Sequence, residues 1–523
     1  VLYFWRLGLT PLDDFDEAYY AAGAREMLAR GDLGIPYFNG QPFLLKPILV
    51  YWLIAAAFRF LGESELAARL PFASLALLVV LLTYWFGART QGRRAGLLAG
   101  FALGLSYMWV DLGREAMTDM PLVGALTAAV FLFYLAARAP EPVSGRLYLA
   151  CYPLLGVAAL AKGVVPIAVV AAGVLAWLAA ARRLRAGLRE ARLLPGLALF
   201  AAVAAPWFVY AALREPEFVR TFFLHEHLGH LHGSLARNEP WWGHLKNLLV
   251  YFYPWVAFLP AALGHAFRRD ERLGALRFAA WWAIAVVVVL SLARAKLPHY
   301  LAIGFPPLAL LVGAWLDRWL AGSDGGRPAA VGLALLALVG AVFAGAAVGG
   351  PLLLAAGRLP GASQWPTGWT PGWGPVIMLA ALAAGSLTAA VGARLRKGVV
   401  VPALALSMFA AGLAHVGWFR PRIAQMQAQP RKELAMIAAS ALPPEEPLGV
   451  YYAKRKATVF YARRPIVDLG EWDDQELISF LSSPTPASAL THARFVPVAE
   501  EALGGVAVRA RRGDYVLLSN QPR

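Results

Sequence analysis

Twelve apolar runs dominate the chain, at roughly 66–87, 95–110, 119–137, 147–161, 164–181, 193–213, 247–267, 278–293, 300–316, 328–348, 373–393 and 398–417. A helix needs roughly 20 apolar residues to cross about 30 Å of hydrocarbon, and runs of this length suit helices rather than barrel strands. With 59% hydrophobic and 15% charged residues among 523, the chain lies outside the range of ordinary soluble domains. The expectation is an all-α polytopic membrane protein. Residues 1–7, the only ones ahead of the first polar loop, cannot span a bilayer, so a first helix is expected to be clipped, bringing the count to about thirteen.

The formal charge of +16 raises the question of a nucleic-acid partner, and the placement of the charge answers it. The basic residues sit in short loops between runs: Arg89, Arg93 and Arg94; Arg182, Arg183, Arg185, Arg189 and Arg192; Arg268, Arg269, Arg272 and Arg277; Arg394, Arg396 and Lys397. That is the signature of loops kept on the cytoplasmic side of a cytoplasmic (inner) membrane, and no nucleic acid is implied. The outer face then carries the loop at 8–62, the loop at 214–246 and the C-terminus. Cys151, the one cysteine, lies inside an apolar run, so no intrachain disulfide forms.

The first outer loop is the most polar stretch before the last hundred residues. From Asp16 to Arg30, Tyr20, Ala24, Met27 and Leu28 face one way and Arg25, Glu26 and Arg30 the other, an amphipathic helix with Asp16 at the N-cap position. Gly31, Gly34, Pro36, Gly40 and Pro42 then break the chain into loop, and Lys46-Pro47 opens a second helix that ends near Gly62 and is expected to lie in the interface. Beyond residue 419 the character changes. GVYYA, TVFYA, PIVDL, VAVRA and YVLLS read as strands, and Arg431–Ala441 and Asp473–Leu481 as helices, so residues 420–523 are expected to form a small extracytoplasmic α/β domain beside a membrane domain of residues 1–419.

Three outer-face clusters hold charge against apolar spans: Asp16 and Glu17 with Lys46; Arg114, Glu115 and Asp119 in GREAMTDMPL; and Arg294, Lys296, His299 and Tyr300 in ARAKLPHYL. Ionisable groups at membrane depth cost up to roughly 2.5–3.5 kcal/mol, so they face a partner or a wet cavity. Each also has a structural reading: Asp16 as a helix cap, Lys46 and Lys296 as snorkelling lysines, Asp119 as an acid complementing a helix dipole. The shared face favours a common site, with Tyr19 and Tyr20 adding to it. The loop around 218–247 contributes His225, Glu226, His227, His230, His232 and His244, which suits either metal ligation or a wet histidine-rich loop.

These strings, in this order, resemble the polytopic glycosyltransferases that use polyprenyl-phosphate sugars, of the GT-C fold, particularly the aminoarabinose-transferase-like branch and its protein O-mannosyltransferase relatives. The resemblance rests on the acids before Tyr19, the helix ending in MLARGD, YFNGQPFLLKPILVYW, GREAMTDMPL, ALAKGVVP, HEHLGH and AKLPHYLAIGFPPLALL, and covers roughly residues 10–320. It implies transfer of a sugar from an undecaprenyl-phosphate-type donor to an extracytoplasmic lipid, glycan or protein, among membrane lipids and without a nucleotide sugar. Asp16 corresponds to the general base, with Glu17 beside it, and Asp119 to a second acid near the donor. Lys46 corresponds to the donor-phosphate lysine, with Tyr19, Tyr20, Arg114, Lys296 and Tyr300 lining the same cavity. The one cofactor it suggests is a divalent metal at His227, yet Leu45 stands where the aminoarabinose branch often has a Glu ligand, and Ile48 replaces its usual second proline.

A transporter or flippase of lipid-linked sugars is the alternative. Such proteins place charge near the midplane on broken helices and show repeat symmetry. Here the acids cluster at span mouths and the sequence shows no repeat.

Overall fold

The computed structural model describes residues 1–12, 16–222, 239–268, 274–294, 296–323, 326–356, 358 and 370–521. The first ten helices are α1 (Glu17–Arg30), α2 (Leu49–Leu61), α3 (Glu65–Gln91), α4 (Arg93–Gly104), α5 (Tyr107–Leu112), α6 (Asp119–Ala136), α7 (Val143–Lys162), α8 (Val165–Ala180), α9 (Leu184–Glu190) and α10 (Leu193–Arg214). Nine helices among the described residues are long and apolar enough to cross a membrane, and the pair Gly243–Tyr251 and Trp255–Ala266, bent by 111°, would make a tenth. About thirteen were expected. The run at 95–110 breaks at Leu105 and Ser106 into α4 and α5, each too short to span, and the run at 164–181 folds as the 16-residue α8.

Inside the helical block, glycines let backbones approach. A Cβ on Gly96 of α4 would meet Ala88 N of α3 at 2.4 Å, and one on Gly313, in the helix Phe305–Leu320, would meet Ala99 N of α4 at 2.4 Å. Where lipid tails remove most of the hydrophobic drive, close van der Waals packing of this kind holds helices together.

The first polar loop folds as two helices joined by a ribbon. Gly31 ends α1 in the left-handed conformation at φ 70°. The stretch expected as loop then forms a small hairpin, β1 (Tyr37–Phe38) against β2 (Gln41–Pro42), turned by Asn39 and Gly40 at φ 55° and 80°. Glu26 of α1 holds that turn, its carboxylate accepting from Asn39 N at 2.9 Å and Gly40 N at 3.1 Å. Ser64 caps α3 by accepting from Ala67 N.

The tail is α/β, with strands β3 (Leu448–Val450), β4 (Ile466–Asp468), β5 (Ser488–His492), β6 (Ala507–Arg512) and β7 (Tyr515–Ser519) in the order β4-β3-β5-β7-β6. β3 is parallel to β4 and β5, and β7 is antiparallel to β5 and β6. One expectation is corrected: TVFYA is not a strand but part of the helix Arg455–Ala462. Its β-branched and aromatic residues gave a strand signal, but residues 457–462 are buried in succession, wedged against α1. Strand β5 and the helix Val496–Leu503 were not anticipated.

The tail is bound tightly to the first loop. Asn39 Nδ2 donates to Ile466 O at 2.9 Å and its Oδ1 accepts from Ile466 N at 2.8 Å, so one side chain pairs with the edge of β4. Arg25 of α1 donates to the carbonyls of Val459 and Phe460, and Tyr461 OH bridges Leu12 N and Glu65. Leu434, Phe460, Leu490 and Leu517 of the tail share one contiguous core with the membrane helices. At the junction, the helical run Lys397–Gln427 passes residue 420 unbroken, through a π turn at His415–Phe419.

Candidate active site

Asp16 immediately precedes α1, and its side chain makes no capping hydrogen bond to the helix. Its neighbour Glu17 points elsewhere, because consecutive helical residues diverge by about 100°. Glu17 is 1% exposed and takes Arg69 of α3 in a two-pronged ion pair, Nε to Oε1 at 2.9 Å and Nη2 to Oε2 at 2.6 Å, while Oε1 also accepts from Ala116 N. Arg69 spends its remaining donors on the carbonyls of Leu7, Thr10 and Pro11. The expectation of a catalytic Glu17 is therefore corrected: its carboxylate clamps the chain ahead of α1 to α3 and to the 113–118 loop, and the clamp sets where Asp16 stands.

Asp119 opens α6 and is 2% exposed. Its Oδ1 accepts from Lys162 Nζ, the last residue of α7, at 2.8 Å, while its buried Oδ2 has no hydrogen-bond partner among the described residues. Lys162 Nζ also lies 4.9 Å from the centroid of the Tyr300 ring, which stands perpendicular to His299. Asp119, Lys162, Asp16 and Lys46 are the charges that bear most strongly on His299. Asp119, Lys162 and Tyr300, drawn from α6, α7 and the turn before Phe305–Leu320, therefore stand together, and the charges of Asp16 and Lys46 in the first loop act on His299 beside them. A buried carboxylate with one unpartnered oxygen beside cations on several elements can grip a polar substrate and stabilise charge that develops on it.

Two residues complete this cluster. His299 belongs to the third charged cluster of the sequence, in ARAKLPHYL, whereas Lys162 stands in ALAKGVVP, outside all three. The available signal for Lys162 was a lone lysine closing an apolar span opposite a lone acid opening another, 43 residues away.

The remaining expected residues divide. Tyr19 stacks on Phe43 at 4.5 Å and meets Phe38 edge-on at 4.3 Å, with Lys456 of the tail 4.3 Å from its centroid. Tyr20 is buried and packs edge-to-face on Tyr51, in the core that backs α1. Two placements are corrected. Arg114 donates to Leu2 O at 2.7 Å and neighbours Arg420, Arg69 and Asp111, a separate network; burial and the two guanidiniums pull it down to about 10, so it is still charged at neutral pH. Lys296 is buried with Nζ on the carbonyls of Glu239 and Ala293 and packs beside Gly243, which commits it to holding that turn. His227 lies outside the described residues. Among those described, no group of three or more His, Cys, Asp or Glu side chains is arranged to hold a metal ion, and no step below passes through one.

Residues 45–210 match the family described as dolichyl-phosphate-mannose-protein mannosyltransferase. The undecaprenyl phosphate-alpha-4-amino-4-deoxy-L-arabinose arabinosyl transferase of Erwinia tasmaniensis is 34% identical over 307 residues, 57% of this chain and 54% of that protein. Its counterpart in Edwardsiella ictaluri is 31% identical over 318 residues, 59% and 56% of the two chains. The sequence match thus spans about half the length of these curated relatives. The crystal structure of ArnT from Cupriavidus metallidurans bound to undecaprenyl phosphate superposes with a TM-score of 0.80 at 25% identity, covering 100% of this chain and 97% of that one. The chain has the GT-C fold, and its sequence is similar to glycosyltransferases that use polyprenyl-phosphate sugars. The fold extends further: archaeal oligosaccharyltransferase AglB from Archaeoglobus fulgidus superposes at TM-score 0.54 and 12% identity, over 99% of this chain and 72% of that one. Within the GT-C fold, the Asp119–Lys162 pair joins the start of α6 to the end of α7.

Proposed function

We propose that this protein transfers a sugar from a polyprenyl-phosphate-linked donor to an acceptor on the extracytoplasmic face of the cytoplasmic membrane. The observation that carries the reading is the buried Asp119–Lys162 pair beside Tyr300 and His299, with the charges of Asp16 and Lys46 acting on His299. Kinship with arabinosyl transferases and a fold shared with a protein crystallised with undecaprenyl phosphate support the donor class.

In this reading the acceptor oxygen attacks the anomeric carbon and Asp16 takes its proton. The bond from that carbon to the donor phosphate breaks, and polyprenyl phosphate leaves with the electron pair. Lys46 stabilises the negative charge growing on the phosphate. Asp119, held by Lys162, uses its unpartnered oxygen to orient the donor sugar. Arg114 and Lys296 have no part in these steps.

Asp16→Asn removes the base while keeping size and shape. The expected result is a loss of transfer of roughly 10²–10⁴-fold with undecaprenyl-phosphate binding retained. Near-normal turnover of a purified polyprenyl-phosphate sugar by that variant would overturn the mechanism. Nothing in the geometry favours the transporter reading.

A further inference from the structure

Away from the Asp119–Lys162 pair, toward the other end of the same helices, a cavity of about 310 Å³ lies between α6, α7 and α8. Asp119 opens α6 and Lys162 closes α7, so the lining residues Phe133 and Tyr152 stand roughly 21 and 15 Å along their helices from that pair, at 1.5 Å per residue. The short helix α9 closes that end. Its Gly187 and Leu188 face the cavity, and a Cβ on Gly187 would meet Leu178 Cδ2 of α8 at 2.7 Å, so the glycine lets α9 press against the wall. Leu175, Leu188 and Leu193 line the cavity and are also exposed, which opens it sideways to whatever surrounds the helices.

The interior offers a ligand no polar group. Cys151 Sγ donates to Leu147 O, and Tyr152 OH donates to Ala191 O at 2.8 Å, so the polar atoms of these two lining residues are already bonded within the chain. Water gains nothing in such a space, and side chains that face a void forgo their dispersion contacts. In a protein that spans a membrane, the filler at hand is a hydrocarbon chain.

The rim has the opposite character. Residues 182–192 hold five arginines and one acid. Arg183 pairs with Glu190 at 2.9 Å and Arg192 with Glu141 at 3.2 Å, so both of these carboxylates are neutralised. Arg182, Arg185 and Arg189 are exposed, and their side chains make no hydrogen bond or ion pair among the described residues. Arg185 and Arg189 sit on the same helix as Leu188, one turn apart, which puts two guanidiniums beside the mouth of an apolar slot. A guanidinium fork matches the oxygens of a phosphate, and a headgroup without a cation of its own leaves that attraction undiminished.

We propose that this cavity is a binding site for an anionic phospholipid of the leaflet opposite the Asp119 end, with one acyl chain between α6, α7 and α8 and the headgroup phosphate on Arg185 and Arg189. The site stands independently of the proposed transfer. Its occupant packs against the two helices whose other ends form the Asp119–Lys162 pair, and so helps to set their spacing.

Photolabelling of the full chain tests it, in nanodiscs of equal parts phosphatidylcholine and phosphatidylglycerol. A trace of one lipid or the other carries a diazirine in its acyl chain, and the labelled peptides are read by mass spectrometry. The expected result is that the phosphatidylglycerol probe labels α7 and α8 around Tyr152 and Val174 roughly tenfold more than the phosphatidylcholine probe. Arg185→Gln/Arg189→Gln should abolish that preference, Arg185→Lys/Arg189→Lys should keep most of it, and Ala171→Phe, which fills the cavity, should lower labelling there by both probes. Both arginines are exposed, so the glutamine pair should unfold at an unchanged temperature in pure phosphatidylcholine, and the test stands even where Ala171→Phe fails to fold. Equal labelling by the two probes, a preference that survives the glutamine pair, or displacement of the label by undecaprenyl phosphate would overturn the proposal.

Discussion

At the residue scale, what an acid does here depends on direction as much as on identity. Asp16 and Glu17 are adjacent, yet the charge of one acts on His299 and the other is sealed against Arg69. Asp16, Lys46 and Asp119 could be singled out from the sequence because charges at the mouths of apolar spans demand explanation. It did not carry the Asp119–Lys162 pair, whose members close and open different helices, nor the difference between Lys46 and Lys296, which depends on which carbonyls lie within reach. Lys162→Met should leave Asp119 as a buried charge without its main counter-ion, costing about 3–5 kcal/mol of stability and roughly 10²–10³-fold in turnover. The double variant Lys162→Met/Asp119→Asn should recover most of the stability and none of the turnover. Thermal unfolding and transfer assays on the three proteins check both statements, and a fully active single variant would remove the pair from the site.

At the scale of elements, the hairpin β1–β2 is small but decisive. Its turn was legible as Asn39-Gly40, a dipeptide suited to positive φ, although the surrounding breakers made the whole stretch read as loop. Its function as a fastener was not legible, because the partner strand lies 427 residues away. The helix Arg455–Ala462 shows the same limit from the other side: β-branched and aromatic residues point to strand, and burial between α1 and the sheet decides for helix. Asn39→Ala removes two hydrogen bonds to Ile466 and should loosen β4 by about 1–3 kcal/mol. Faster amide exchange confined to β4 and the following loop is the expected readout, and unchanged exchange would show that the rest of the interface holds β4 unaided.

At the scale of the whole molecule, composition and the arginine-rich loops were enough for a polytopic helical protein with an α/β tail. Counting spans was harder, since a run of apolar residues does not reveal a break such as that between α4 and α5 or the 111° bend after Tyr251. Packing between helices distant in sequence was also invisible, and it is there that small residues matter most. Gly313→Leu would drive a side chain into the backbone of α4 at Ala95 and Ala99 and should destabilise the fold by about 1–3 kcal/mol or more. Gly345→Ala, in a helix where an added Cβ meets nothing within 4 Å, is the matched control, and a lower melting temperature only in the first variant is the expected outcome.

The amide of Asn39 has one more consequence. It occupies the outer rim of β4, and the opposite rim, β6, ends in Arg511 and Arg512 and is thrown out of register between Val508 and Ala510. A five-stranded sheet with one border fastened to its own chain and the other charged and kinked offers no template to a neighbouring copy. Crowded side by side in a bilayer, these molecules can therefore keep their C-terminal sheets from zipping into one another.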